Sequence, residues 1–108
     1  MASNIKEINV QELKEWQASG KDFQLIDVRE QNEYEFVNIG GELIPQGDII
    51  AKVENISKDK DVVVHCRSGA RSANAILILQ DMGYSNLYNL KGGILAYAQE
   101  IDPALPQY

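Results

Sequence analysis

The chain has a single cysteine, and two arginines follow it closely: His65-Cys66-Arg67-Ser68-Gly69-Ala70-Arg71-Ser72. A free thiol titrates near about 8.5, and a helix N-terminus or nearby cations lower it to roughly 3.5–7.5. This octapeptide offers both influences. Arg67 and Arg71 carry planar guanidinium forks that match the oxygens of an anion. Gly69 permits a positive φ, and with it a tight curl of the backbone. A loop curled in this way turns its N–H groups, from Arg67 to Ser72, toward the sulfur as an anion-binding nest. The chemistry so described is nucleophilic attack by a thiolate on an anionic substrate.

Two elements must hold this loop. Val62-Val63-Val64 is a β-branched run of the kind that forms a buried strand. From Ser72 to Met82 the spacing predicts a helix, apolar around much of its circumference through Ala73, Ala75, Ile76, Leu77, Ile78, Leu79 and Met82, and so largely buried. Its N-terminus would point a positive dipole end at the sulfur. A lone cysteine beside a valine run is ordinarily an inert core residue. Here a loop of Arg, Ser, Gly and Arg between strand and helix has little justification as a plain crossover.

Size and composition narrow the classes further. A chain of 108 residues with 44% hydrophobic and 24% charged residues is expected to be one soluble globular domain, spanning 1–108. The net charge of −6 argues against nucleic-acid binding and makes the arginines around Cys66 a local exception. Arg29 is the only other arginine, and it follows a second strand. One cysteine allows no internal disulfide. His65, the only histidine, points to the opposite face of the strand from Cys66, so no metal site is expected and His65 reads as a packed residue. With no apolar leader and no membrane-length apolar run, the expectation is a cytoplasmic protein.

The rest of the chain alternates between strand and helix signals. Ile5 to Ile8 reads as an edge strand. Asn9 is an N-cap with Glu12 as its capping-box partner, and Ile8 and Leu13 are placed as a hydrophobic staple. Val10, Leu13 and Trp16 share a helical face, with Trp16 read as core packing; Gly20 ends that helix. Phe23 to Val28 is a strand ending in Asp27-Val28-Arg29, and Gln31 to Phe36 is a polar or short helical segment; Arg29 and Glu33, four apart, are spaced to pair if it is helical. Leu43-Ile44-Pro45 is extended, one or two helical turns cover Ile49 to Ile56, and Asn86 to Leu90 is a strand. After the Lys91-Gly92-Gly93 turn, a helix runs from Ile94 to about Glu100. This alternation predicts an α/β fold with a central, mostly parallel sheet of about five strands and helices on both faces. Ligands of such sheets sit at the carboxyl ends of strands, which puts the Cys66 loop and Asp27-Arg29 on one side.

At these residues the chain resembles the rhodanese family of single-domain sulfurtransferases. Ile26-Asp27-Val28-Arg29-Glu30, with Glu33-Tyr34, is similar to the first family signature. Ile44-Pro45 fits the extended segment, residues 65–72 the active-site loop, and Gly83-Tyr84 and Leu90-Lys91-Gly92-Gly93 the closing signatures. The chain departs from the family pattern at Val37-Asn38-Ile39, in place of Gly-His-Ile, and at Tyr97, where a tryptophan often stands. The resemblance implies a rhodanese-like fold, with Cys66 accepting a sulfane sulfur as a persulfide. It implies that Arg67, Ser68, Gly69, Ala70, Arg71 and Ser72 form the substrate cradle. Asp27, Arg29 and Glu33 read as a structural ionic network beside it. No cofactor is expected. The expected partners are a small anionic donor such as thiosulfate and an acceptor such as cyanide, a small thiol or a protein thiol.

Two other functional classes stay in view. Rhodanese-fold phosphatases and arsenate reductases also use a cysteine followed by a loop-closing arginine. Their loop encloses five residues, whereas Cys66 and Arg71 enclose four, and the next position is Ser72. A noncatalytic rhodanese-like module that binds a partner or senses redox state is the third reading.

Overall fold

A computed structural model describes residues 4–108. Five strands, β1 (Lys6–Ile8), β2 (Gln24–Asp27), β3 (Glu42–Leu43), β4 (Val62–His65) and β5 (Leu87–Leu90), form one sheet in the order β1-β5-β4-β2-β3. Every strand pair is parallel. β4, the valine run, is central and fully buried, as its β-branched side chains favour. Between the strands lie α1 (Val10–Ala18), α2 (Gln31–Phe36), α3 (Ala70–Asp81) and α4 (Gly93–Glu100), with short 3-10 turns at Gln46–Asp48 and Val53–Asn55.

Alternation along the strands divides the core in two. Val62, Val64 and Cys66 face Ala75, Ile76 and Leu79 of α3, together with Ile26, Val28, Ile44, Ile49 and Leu87. Val63 and Leu90 face the other way, toward Val10 and Leu13 of α1 and Tyr97 of α4. The α1 helix begins with the capping box read from the sequence: the Glu12 amide donates to Asn9 Oδ1 at 2.8 Å, and the Asn9 amide to Glu12 Oε1 at 3.0 Å. Leu13 is wholly buried, a contribution of about 1.5–3 kcal/mol for a side chain of that size. Trp16 makes edge-to-face contacts with Phe23 and Tyr88, each at 5.4 Å between ring centroids, so it packs the domain.

The helix after the cysteine differs from the expectation in two respects. It starts at Ala70, because Gly69 takes φ +119° as its N-cap and the chain is helical immediately afterwards. Arg71 and Ser72 therefore belong to the first helical turn. That helix is also buried on one face only: Ser72, Ala75, Ile76 and Leu79 are buried, while Leu77 and Met82 reach solvent. Apolar side chains around its circumference overstated its burial. Among the described residues no helix is long and apolar enough to cross a membrane.

Candidate active site

The Cys66 loop leaves the carboxyl end of β4 and enters α3. Cys66 is 1% exposed. Its Sγ accepts the Gly69 amide at 3.1 Å, and the Ser72 hydroxyl lies 3.4 Å away. Burial alone pushes the thiol up. Hydrogen bonds from the Ser72 side chain and from the Ser72, Gly69 and Ser68 amides outweigh it, so the thiol titrates below its ordinary value. The arrangement favours negative charge on the sulfur through N–H groups at a helix start.

A second helix end holds the loop from behind. The Ile94 amide donates to the Cys66 carbonyl and the Leu95 amide to the Arg67 carbonyl, both at 3.0 Å. The first-turn donors of α4 thus find partners in the carbonyls of the cysteine loop. This contact requires glycine at position 93. Gly93 has φ +60°, and a Cβ there would meet the Arg67 carbonyl oxygen at 2.4 Å. Sequence reading marked Gly92-Gly93 as a turn and a signature but did not connect it with the cysteine loop.

The arginines divide their tasks. Arg71 forms a two-pronged pair with Glu33 of α2, at 2.7 and 2.9 Å. The hydrogen bonds from Arg71 hold the Glu33 carboxyl down at about 2, and the pairing raises Arg71 in turn. The expected pairing of Arg29 with the Glu33 side chain is not formed. Arg29 instead turns back on Asp27, with Nε 2.9 Å from Oδ1 and Nη2 2.7 Å from Oδ2. It reaches only the backbone carbonyl of Glu33 and donates as well to the Val37 carbonyl. Both members of the Asp27–Arg29 pair have wholly buried side chains. The Arg29 donors are taken up by Asp27 and the Val37 carbonyl, and the Glu33 carboxylate by Arg71.

His65 is fully buried, with Nε2 3.6 Å from Asp27 Oδ2 and without a hydrogen-bond partner, and with Nδ1 3.3 Å from the Cys66 carbonyl oxygen. Burial lowers its pKa despite the Asp27 charge, so it remains neutral. Ser68 is exposed at the tip of the loop. The C-terminal Tyr108 closes over the arginines. Its hydroxyl accepts from Arg29 Nη1 at 2.9 Å and donates to Glu33 Oε2 at 2.7 Å. Its ring lies under the Arg67 guanidinium, 5.2 Å from Cζ to centroid, and stacks edge-on with Phe36. Arg67 Nε also donates to the Tyr108 main-chain oxygen.

Asn89 on β5 is the residue that sequence reading passed over. It is 5% exposed, pairs in register with Val64, and sits beside Ser72 and the Gly69 carbonyl. A signal was present. Leu87 and Asn89 lie two apart in a strand, so a polar side chain shares the inward face with a core leucine. Among the described residues, no three His, Cys, Asp or Glu side chains group as metal ligands would.

A parallel α/β sheet with a cysteine at the end of its central strand, curled into a helix N-terminus, defines a class of thiol-bearing α/β domains. The family is specific: the model of the rhodanese-like domain matches residues 9–100, and the chain belongs to that family. The putative sulfurtransferase YtwF of Bacillus subtilis is 39% identical over 105 residues, covering 92% of this chain and 96% of that protein. The probable adenylyltransferase/sulfurtransferase MoeZ of Mycobacterium tuberculosis is 37% identical over 105 residues, covering 94% of this chain. There the chain spans only 26% of the relative's length. The crystal structure of a rhodanese-like domain protein from Staphylococcus aureus superposes with a TM-score of 0.82 at 28% identity, covering 96% of this chain and 99% of that one.

Proposed function

We propose that the chain is a sulfurtransferase that carries a sulfane sulfur as a persulfide on Cys66. The observation that carries this reading is the sulfur environment: one amide at 3.1 Å, a hydroxyl at 3.4 Å, and a thiol lowered despite burial. In the first half-reaction the Cys66 thiolate attacks the outer sulfur of an anionic donor such as thiosulfate. A new S–S bond forms, the old one breaks, and sulfite leaves with the electron pair. In the second, an acceptor such as cyanide, a small thiol or a protein thiol takes the outer sulfur and returns the thiolate. The hydrogen bonds that lower the thiol favour the thiolate as the attacking form, so the step calls on no general base. Arg67, on the loop rim, supplies positive charge for the donor. Arg71 acts mainly through Glu33, as a brace between α2 and α3, and adds its charge to the site.

The loop supports sulfur over phosphate. Four residues separate Cys66 from Arg71, and the arginine is committed to Glu33, so no free guanidinium is left at that position to clasp a tetrahedral oxyanion. Mass spectrometry after thiosulfate treatment tests the reading. One added sulfur on Cys66, released by cyanide and absent from Cys66→Ala, is expected. A chain that takes up no sulfur from thiosulfate or from a panel of other sulfane donors would refute it, as would faster hydrolysis of an aryl phosphate.

A further inference from the structure

The hydroxyl of Ser72 has one proton and three acceptors within reach. Cys66 Sγ is at 3.4 Å, the Gly69 carbonyl oxygen at 3.1 Å and Asn89 Oδ1 at 2.6 Å. The orientation of Asn89 follows from its other contact. Its amide nitrogen faces the Gly69 carbonyl at 3.2 Å, where only a donor is tolerated, so Oδ1 must face Ser72. Two oxygens 2.6 Å apart need a proton between them, and only Ser72 has one to give. Asn89 and the Cys66 sulfur therefore compete for a single hydroxyl proton, inside a buried cluster.

We propose that Asn89 is a positioning residue: it holds the Ser72 hydroxyl proton while the Cys66 sulfur is uncharged and yields it when that sulfur becomes anionic. This rests on Cys66 being the sulfur carrier. Through the two half-reactions the charge on Sγ changes twice. The resting thiolate draws the hydroxyl toward itself. Once the persulfide has formed, the charge lies on the outer sulfur, Sγ is neutral, and the hydroxyl turns back to Asn89. When an acceptor attacks the outer sulfur, the S–S bond breaks with its electron pair on Sγ, and the hydroxyl turns to meet it. No proton leaves Ser72; only the O–H bond rotates. Arg71 of α3, with Glu33 of α2 bound to it, is the charged pair near the sulfur, and neither hydrogen-bonds to Asn89 or Ser72. Asp27, Arg29 and His65 are engaged with one another at the β2–β4 strand ends.

The test is the pH dependence of Cys66 alkylation by iodoacetamide, which reads the thiol without any sulfur transfer. Ser72→Ala should move the midpoint up, because the thiolate loses a donor. Asn89→Ala should move it down, because the competing acceptor is gone, and should raise the alkylation rate below the midpoint by about three- to tenfold, the worth of one neutral hydrogen bond. In the Ser72→Ala background, Asn89→Ala should have no effect. A merely structural role predicts that both single variants move the midpoint up. That result, or a shift that persists without Ser72, overturns the proposal. Should Asn89→Ala fail to fold by circular dichroism, Asn89→Leu decides, since it fills the space without an acceptor: its midpoint should also move down, and an unchanged or higher midpoint overturns the proposal. Failure of the wild type to form a persulfide would refute the sulfur-transfer reading and leave these alkylation shifts readable.

Discussion

Replacing Glu33 by glutamine separates charge from shape at the brace between α2 and α3. Glutamine keeps an acceptor for the Glu30 amide, which now bonds Glu33 Oε1 at 2.9 Å, while it removes the charge facing Arg71 and replaces the Oε2 acceptor of Arg71 Nη2 and the Tyr108 hydroxyl by an uncharged NH2. The carboxyl falls from its ordinary value of 4.5 to about 2. At ~1.36 kcal/mol per pH unit that sets an upper limit of about 3.4 kcal/mol. The Arg71 side chain is 35% exposed against 15% for Glu33, so solvent screens the pair and about 1–2 kcal/mol is the expected loss at neutral pH. For a domain of this size that is a fall in Tm of about 5–10 °C. The sign follows from a depressed pKa. The stabilisation is complete above 4.5, declines as pH falls, is less than about half present at pH 3, and vanishes below 2. Thermal denaturation of wild type and Glu33→Gln at several pH values should show two curves converging in acid. A deficit that is the same at pH 7 and pH 3, or absent at pH 7, would refute the assignment of the stabilisation to this ion pair.

Three further outcomes follow from the site. Arg29→Met leaves Asp27 buried without its partner and should cost about 3–5 kcal/mol in urea denaturation; a loss below about 1 kcal/mol would contradict the buried pair. Gly93→Ala drives a methyl into the Arg67 carbonyl and should cost about 2 kcal/mol or more while slowing sulfur loading, since the loop must shift; a neutral substitution would show that α4 does not press on the loop. Tyr108→Phe removes the hydroxyl that bridges Arg29 and Glu33, with an expected loss of about 1 kcal/mol and a persulfide still formed on Cys66; an unchanged Tm would show the tail contact to be weightless.

Local patterns along the chain carried most of the architecture. Val62-Val63-Val64 reads as a buried strand, because three β-branched side chains in a row favour a strand covered on both faces, and it forms the central strand. Asn9 and Glu12 announced the start of α1 three residues apart, since a capping box is satisfied entirely within one turn. The loop that cradles the cysteine was equally legible, because cysteine, glycine and arginines lie within one octapeptide. Its relatives place the chain in the family that those residues resemble.

What lay beyond the sequence were the contacts between elements distant in the chain. Arg29 lies four residues from Glu33, yet Arg71, 38 residues away, takes that carboxylate, because the packing of α2 against the start of α3 brings them within 2.7 Å. Gly93 acquires its meaning only where α4 begins against the carbonyls of the cysteine loop. Asn89 reaches Ser72 because β5 lies beside β4 in register, a pairing that no local pattern encodes. The sequence by itself determined which residue the loop would curl around and that a helix start would face it. The tertiary structure alone decided which arginine is tied down and which side chain shares the Ser72 proton, since hydrogen-bond partners are chosen by proximity in space.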